Sequence, residues 1–136
     1  MGLPEIRAGL QAAFEAVPGI GPVLMYSPRS IPANFTLFVR RTGFETVRTG
    51  QVRGVRWFFA ARLCILWQDV EQAEIDKDTL ARAIIDAIDD DAHLGGALNS
   101  GLAEITVGDS DWFTVAGSEA LWLYEDFEIS VLEKGT

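Results

Sequence analysis

The chain turns on Arg53-Gly-Val-Arg-Trp-Phe-Phe-Ala-Ala-Arg-Leu-Cys-Ile-Leu-Trp67. β-Branched and aromatic residues dominate it, proline is absent and turn residues precede it, which together make the strongest strand signal in the sequence. Val55, Trp57, Phe59, Ala61, Leu63, Ile65 and Trp67 alternate onto one wholly apolar face. Arg56, Phe58, Ala60, Arg62, Cys64 and Leu66 form the other face, polar at its start and apolar toward its end. The strand is therefore expected to become buried on both sides as it runs. At ~3.3 Å per residue the stretch reaches about 50 Å. A compact chain of 136 residues is roughly 37 Å across. The strand must bend at Ala60-Ala61 or project, and the residues before it favour an arm.

Residues 42–54 carry Gly43, Gly50 and Gly54, with Val47 and Val52 as the only aliphatic side chains. They read as a polar connection. Residues 34–41 before them alternate Phe35, Leu37 and Val39 with Thr36, Phe38 and Arg40, a second strand signal. Two strands joined by a glycine-bearing connection predict an antiparallel hairpin. Arg40, Arg41, Arg48, Arg53 and Arg56 gather on it and are the candidate partner interface. The alternative is a solvated hairpin with no partner. Five Arg side chains would attract phosphate. The chain as a whole is strongly acidic and shows no nucleic-acid recognition motif, so a protein or acidic-surface partner is the better expectation.

Toward the N-terminus, residues 4–16 predict a helix. Pro4 suits its first turn, Ile6, Leu10, Ala13 and Phe14 share a stripe, and Pro18-Gly19 stops it. Residues 22–26 are a short apolar run, and 27–33 a proline-punctuated loop. Beyond the long strand, residues 68–70 read as an edge or linker. Asp76 or Asp78 can cap a second helix over 79–90, with Leu80, Ala81, Ile84, Ile85 and Ile88 on its apolar face. Leu94-Gly95-Gly96 offers glycine for the left-handed closing position. Strands are expected over 102–107, 112–116 and 120–132, with turns at 108–111 and 117–119. Glu125 interrupts the apolar side of the last strand, which suggests a bulge or an edge.

One domain, residues 1–136, is the expectation for this length. The four Trp and eight Phe supply ample area for a core. No apolar run approaches the ~18 residues of a membrane span, and the first residues lack the features of a signal peptide. A single cysteine excludes an internal disulfide. Net charge is -9, unevenly spread. Through Arg62 there are eight Arg against Glu5, Glu15 and Glu45, a balance of +5; from Leu63 on, Lys77, Arg82 and Lys134 face seventeen acids, a balance of -14. Opposed charged faces are one expectation, so that in a ring the basic edge of one copy meets the acidic edge of the next. The other is that folding interleaves the halves and the polarity disappears.

The usual constellations of catalysis are missing. The sequence has no phosphate-binding loop, no zinc-protease motif, no nucleophile elbow and no paired cysteines. Cys64 lies in an apolar strand and reads as an inert core thiol. Asp89, Asp90 and Asp91 point in different directions from a helix end and read as solvated. His93, the only histidine, reads as a partner for the last helix carbonyls. Ser118 lacks a catalytic context. Glu125, Asp126 and Glu128 offer carboxylates, but alternation puts Asp126 and Glu128 on a face with Trp122 and Tyr124 that reads as surface or interface. No residue is assigned a catalytic, cofactor-binding or metal-ligating role, and the expectation is a protein that is not an enzyme.

The order of elements resembles the tail terminator, or tail completion, proteins of long-tailed bacteriophages. The likeness covers nearly the whole chain. It is most specific over residues 80–131, where a helix with Ala83, Ile84 and Ile88 leads to Leu94-Gly95-Gly96 and then to strands ending Phe127-Glu-Ile-Ser-Val131. The resemblance implies an α+β fold: a mostly antiparallel twisted sheet, two main helices packed against it, and a projecting β-hairpin. It implies a virion assembly protein at the head-proximal end of the tail, put together in the host cytoplasm. A homo-oligomeric ring, usually a hexamer, would cap the tail tube protein, stop its polymerisation and offer a surface to the head–tail connector protein. No cofactor, membrane or sequence-specific nucleic acid is implied, and an acidic lumen would let DNA pass. A head–tail connector or neck protein is the alternative, with a small-ligand module or enzyme behind it.

Overall fold

The computed structural model describes residues 2–50, 52–96, 98, 101–115 and 119–134. Helix α1 is Leu3–Glu15. The Gly2 N–H donates to Glu5 Oε2 at 3.0 Å, and Pro4 occupies the first turn, where a missing N–H costs nothing. Ile6, Leu10 and Phe14 recur every four residues and are fully buried, so the stripe read from spacing is the face that packs. Strand β1 is Val23–Leu24, β2 is Thr36–Thr49 and β3 is Val52–Leu66. Helix α2 is Val70–Asp89, followed by β4, Leu102–Thr114, and β5, Leu121–Lys134.

The strands lie in the order β1-β2-β3-β5-β4. Only β1 runs parallel to its neighbour; the other ladders are antiparallel. Both helices join one apolar core with Leu37, Val39, Phe59, Ala61, Leu63, Ile65, Leu123, Phe127, Ile129 and Val131. These strand residues share one face, so the sheet has a helix-covered side and a bare side. This is the α+β arrangement the element order implied.

Strand β3 is central, as its composition demanded. Its apolar face is buried from Phe59 to Ile65. No bulge interrupts it at Ala60-Ala61: Arg40 lies opposite Ala60 and Val39 opposite Ala61, and the nearest register shift, in β2, lies opposite Phe58 and Phe59. Its early half continues into the hairpin, but with support. Strand β5 accompanies β3 as far as Gly54, which faces Lys134. Gly54 is required there, because a Cβ would stand 2.7 Å from the Glu133 carbonyl oxygen. At the base, the Asn34 side-chain oxygen accepts from the Leu66 N–H at 2.7 Å and from the Phe35 N–H at 2.9 Å. Asn34 thus fastens the start of β2 to the end of β3.

Three boundaries differ from the sequence reading. Residues 42–49 are strand rather than polar connection, with a β-bulge between Arg41 and Gly43. Glycines and exposed polar residues masked a ladder whose stability comes from main-chain pairing, not burial. Helix α2 starts at Val70, capped by Asp69, which accepts from the Gln72 N–H at 3.0 Å. Asp76 and Asp78 lie inside it. The buried Ala73 extends the apolar stripe about two turns upstream of Leu80, too small a residue to register as a periodic signal. Finally, residues 108–111 are not a turn between strands. They form a bulge within the single strand β4, where register shifts between Val107 and Ser110. Glu125 pairs with Ser110 at that bulge, which explains how an acid enters the covered face. The expected turn at 117–119 includes Gly117 and Ser118, which lie outside the described residues.

Candidate assembly interface

Register assigns each arginine of the hairpin to a side. Arg40 faces Ala60 and Arg56 faces Glu45, both on the bare side of the sheet. Arg41 and Arg53 lie on the covered side, and the bulge at Thr42 shifts the alternation so that Arg48 joins them. The five therefore do not form one cluster. Arg48 and Arg53 face each other next to the turn, both exposed. Two like charges directly opposed are unfavourable unless something compensates. Arg41 sits 6.0 Å from the Phe44 ring centre and 5.7 Å from that of Trp57. Arg56 Nη1 donates to Glu45 Oε1 at 2.7 Å.

Phe44 is the residue that sequence reading missed. It is 59% exposed and lies against Trp57, ring centres 5.5 Å apart. A lone aromatic within a polar stretch was the available signal. Two buried polar atoms near it lack a hydrogen-bond partner among the described residues, Trp57 Nε1 and Glu133 Oε2. Glu133 faces Val55 and Trp57 faces Val131, so both belong to the covered side in the outer half of the hairpin.

The bare side carries its own polar structure. Arg62 makes a two-pronged bond to Asp126, Nε to Oδ1 at 2.7 Å and Nη2 to Oδ2 at 2.9 Å. Its guanidinium also lies 3.9 Å from the Tyr124 ring centre. Donating to the Asp126 carboxylate raises the Arg62 pKa above its ordinary value. Beside this pair a shallow concavity of about 340 Å³ is lined in part by Phe38, Arg40, Asp109 and Glu128. At the other end of the sheet Trp67 and Trp112 stack, ring centres 3.5 Å apart.

The remaining candidates from the sequence are placed as follows. Cys64 is buried, and burial pushes its thiol up to about 12, so it holds no thiolate at neutral pH. Asp89 closes α2, with Asp90 as its cap residue. Asp91 Oδ1 accepts from the Gly95 N–H at 2.9 Å. His93 is exposed and serves through its backbone carbonyl, which accepts from the N–H groups of Gly96 and Leu98. Leu94 as well as Gly95 adopts a left-handed conformation, so the Leu-Gly-Gly motif shapes the turn after the helix end. Among the described residues, no group of three or more His, Cys, Asp or Glu could hold a metal ion, and no helix is long and apolar enough to cross a membrane.

The charge asymmetry of the sequence survives folding. Strand β2 carries Arg40, Arg41 and Arg48 against Glu45, whereas β4 carries Glu104, Asp109 and Asp111 and no basic residue. Strand order places β2 toward one edge and β4 at the other.

No protein-family model matches this sequence, and no curated protein matches it. Solved structures do match. Over 100% of its length the chain is similar to the sheath/tube terminator of the PVC extracellular contractile injection system in its extended state, with a TM-score of 0.57 and 9% identity. The chain spans 57% of the length of that protein. Over 93% of its length it is similar to a chain from the virion of a native gene transfer agent particle, with a TM-score of 0.50 and 12% identity, covering 94% of that chain. The fold is shared with that terminator and with that virion chain.

Proposed function

We propose that this chain is a tail terminator, a single-domain assembly protein of residues 1–136 that forms a ring, hexameric in the simplest form, on the end of a tail tube. The observation that carries this reading is the fold match along the whole chain to a sheath/tube terminator. The chain's own chemistry agrees with it. Its exposed arginines sit on an extended hairpin, and its bare sheet face holds ion pairs rather than a deep cleft with converging reactive groups.

In this reading the protein makes and breaks no bond. Binding the last ring of tube protein covers the surface that the next tube subunit would need, so polymerisation stops. The opposite surface of the ring then accepts the head–tail connector, at the head-proximal end of the tail in the virion. Arg48 and Arg53 at the hairpin tip, with Arg40, Arg41 and Arg56 behind them, are the contact residues toward a neighbour or the tube. The mutual repulsion of Arg48 and Arg53 would be relieved by an acidic partner. A ring whose lumen is lined by acids such as Glu104 and Glu128 would let DNA pass without holding it.

The test is to add the protein to polymerising tube protein and measure tube length by negative-stain microscopy. Capped tubes that stop growing, with rings visible at one end, are the expected result. Unlimited growth with the protein bound nowhere would sink the reading, and co-sedimentation with heads instead of tails would favour the connector role. Arg48→Glu with Arg53→Glu should impair capping while leaving far-UV circular dichroism unchanged.

A further inference from the structure

The sheet ends in two open edges. Strand β1 covers β2 only at Leu37 and Phe38. The outer edge of β2 over residues 39–49 has no strand partner among the described residues, and neither has that of β4 over residues 102–114. Each edge runs for roughly 35 Å without a strand partner, although on β4 the Ala103 N–H already donates to the Ala92 carbonyl and the Trp112 N–H to Asp111 Oδ1. Such edges invite another strand unless something deters it.

Their charges differ in sign. The β2 edge is basic, through Arg40, Arg41 and Arg48, and its one acid, Glu45, is held by Arg56. The β4 edge presents only acids, Glu104, Asp109 and Asp111, all exposed. Two β2 edges brought together would set Arg against Arg, and two β4 edges acid against acid. A β2 edge against a β4 edge alone brings opposite charges together. The exposed apolar side chains follow the same division: Phe44 on β2, Leu102 and Val107 on β4. Direction fits too. Strand β2 is antiparallel to β3, β3 to β5 and β5 to β4, so β4 runs opposite to β2. A copy rotated about an axis near the strand direction would present its β4 antiparallel to the β2 of its neighbour.

We propose that copies join by adding the β2 edge of one to the β4 edge of the next, and that the opposed charges of these edges select this head-to-tail seam over two-fold pairing. The seam continues the antiparallel sheet from subunit to subunit, buries Phe44 on the same face as Val107, and leaves no β2 or β4 edge open in a closed ring. This inference rests on the ring reading above and specifies its contact.

Reciprocal charge reversal tests it, read by native mass spectrometry and sedimentation velocity at low salt. All four residues changed are exposed; because Arg40 and Asp109 also line one concavity within a subunit, R48E with E104R repeats the exchange without them, and circular dichroism checks the fold. R40E/R48E and E104R/D109R are each expected to weaken self-association at least tenfold. The fourfold variant R40E/R48E/E104R/D109R should recover to within about threefold of the natural protein. An equimolar mixture of the two double variants should form alternating, even-numbered oligomers. Oligomers of R40E/R48E as stable as those of the natural protein would overturn the seam and leave the ring standing. A folded fourfold variant that stays dissociated would do the same. A natural protein that remains monomeric at every concentration would overturn the ring reading and the seam with it.

Discussion

The covered and bare sides of the sheet are made by the same strands and differ in what they ask of their side chains. On the covered side, Phe59, Leu63, Phe127 and Ile129 are almost wholly buried against the helices, and Glu125 is an acid among them. On the bare side, Arg62, Asp126, Arg56 and Glu45 make paired, part-exposed contacts. The covered side supplies the hydrophobic free energy of folding. The bare side adds to it mainly where Thr36, Cys64 and Trp122 are buried, and its remainder is available for contacts outside the subunit. Substitutions on the two sides should therefore separate stability from assembly.

The largest effect is expected from Phe127→Ala, at the centre of the covered side. Loss of a fully buried ring should cost about 3–5 kcal/mol in urea unfolding; a cost under about 1 kcal/mol would show that the core does not run through this strand. Next is Gly54→Val, where the new side chain meets the Glu133 carbonyl. A loss of about 1–3 kcal/mol is expected from overpacking between β3 and β5, and its absence would mean that β5 does not brace the hairpin that far. Arg62→Ala on the bare side should cost about 1 kcal/mol or less, because solvent screens the pair with Asp126. A double-mutant cycle with Asp126→Ala measures that coupling, and a value of several kcal/mol would erase the contrast between the sides.

Glu125 sharpens the contrast through pH. Desolvation, the leading cause, raises its pKa, and Ser110 and Lys77 oppose the shift. A carboxyl raised in the folded state binds its proton more tightly there than in the unfolded chain. Stability from this group is therefore greatest at low pH and falls as pH climbs from the ordinary carboxylate value through the raised one. Glu125→Gln should be neutral or stabilising at pH 7, and its advantage should vanish below the ordinary carboxylate range. Chemical unfolding across that range measures it, and a Gln variant weaker at pH 7 than at pH 4 would reverse the sign. The smallest effect is expected from Trp57→Phe. It keeps an aromatic neighbour for Phe44 and removes an unpaired donor, so stability should change by about 1 kcal/mol or less, toward gain.

The covered side was the legible one. Alternation from Val55 to Trp67 and the stripe of Ile6, Leu10 and Phe14 report burial directly, because burial is what fixes those residue types. The outer half of the hairpin was not legible. Its strands are held by main-chain bonds that any side chain permits, so Gly43 and Thr46 looked like loop. The start of α2 was hidden for a related reason, since Ala73 is buried yet carries almost no hydropathic signal. The arginines were found by charge alone, but the side that Arg48 takes depends on one extra residue at Thr42, and no composition reveals a bulge. Phe44 escaped because it breaks a polar run in which exposure, not burial, gives it meaning.

The solitary thiol has a practical corollary. Shut inside β3, with its proton held until strongly alkaline conditions, Cys64 is not expected to compete with maleimides or spin labels while the subunit stays folded. Any second cysteine placed on the hairpin tip would then carry the only accessible thiol in the molecule. Distances between tips in adjoining copies could be read by fluorescence or paramagnetic probes without first removing the native residue.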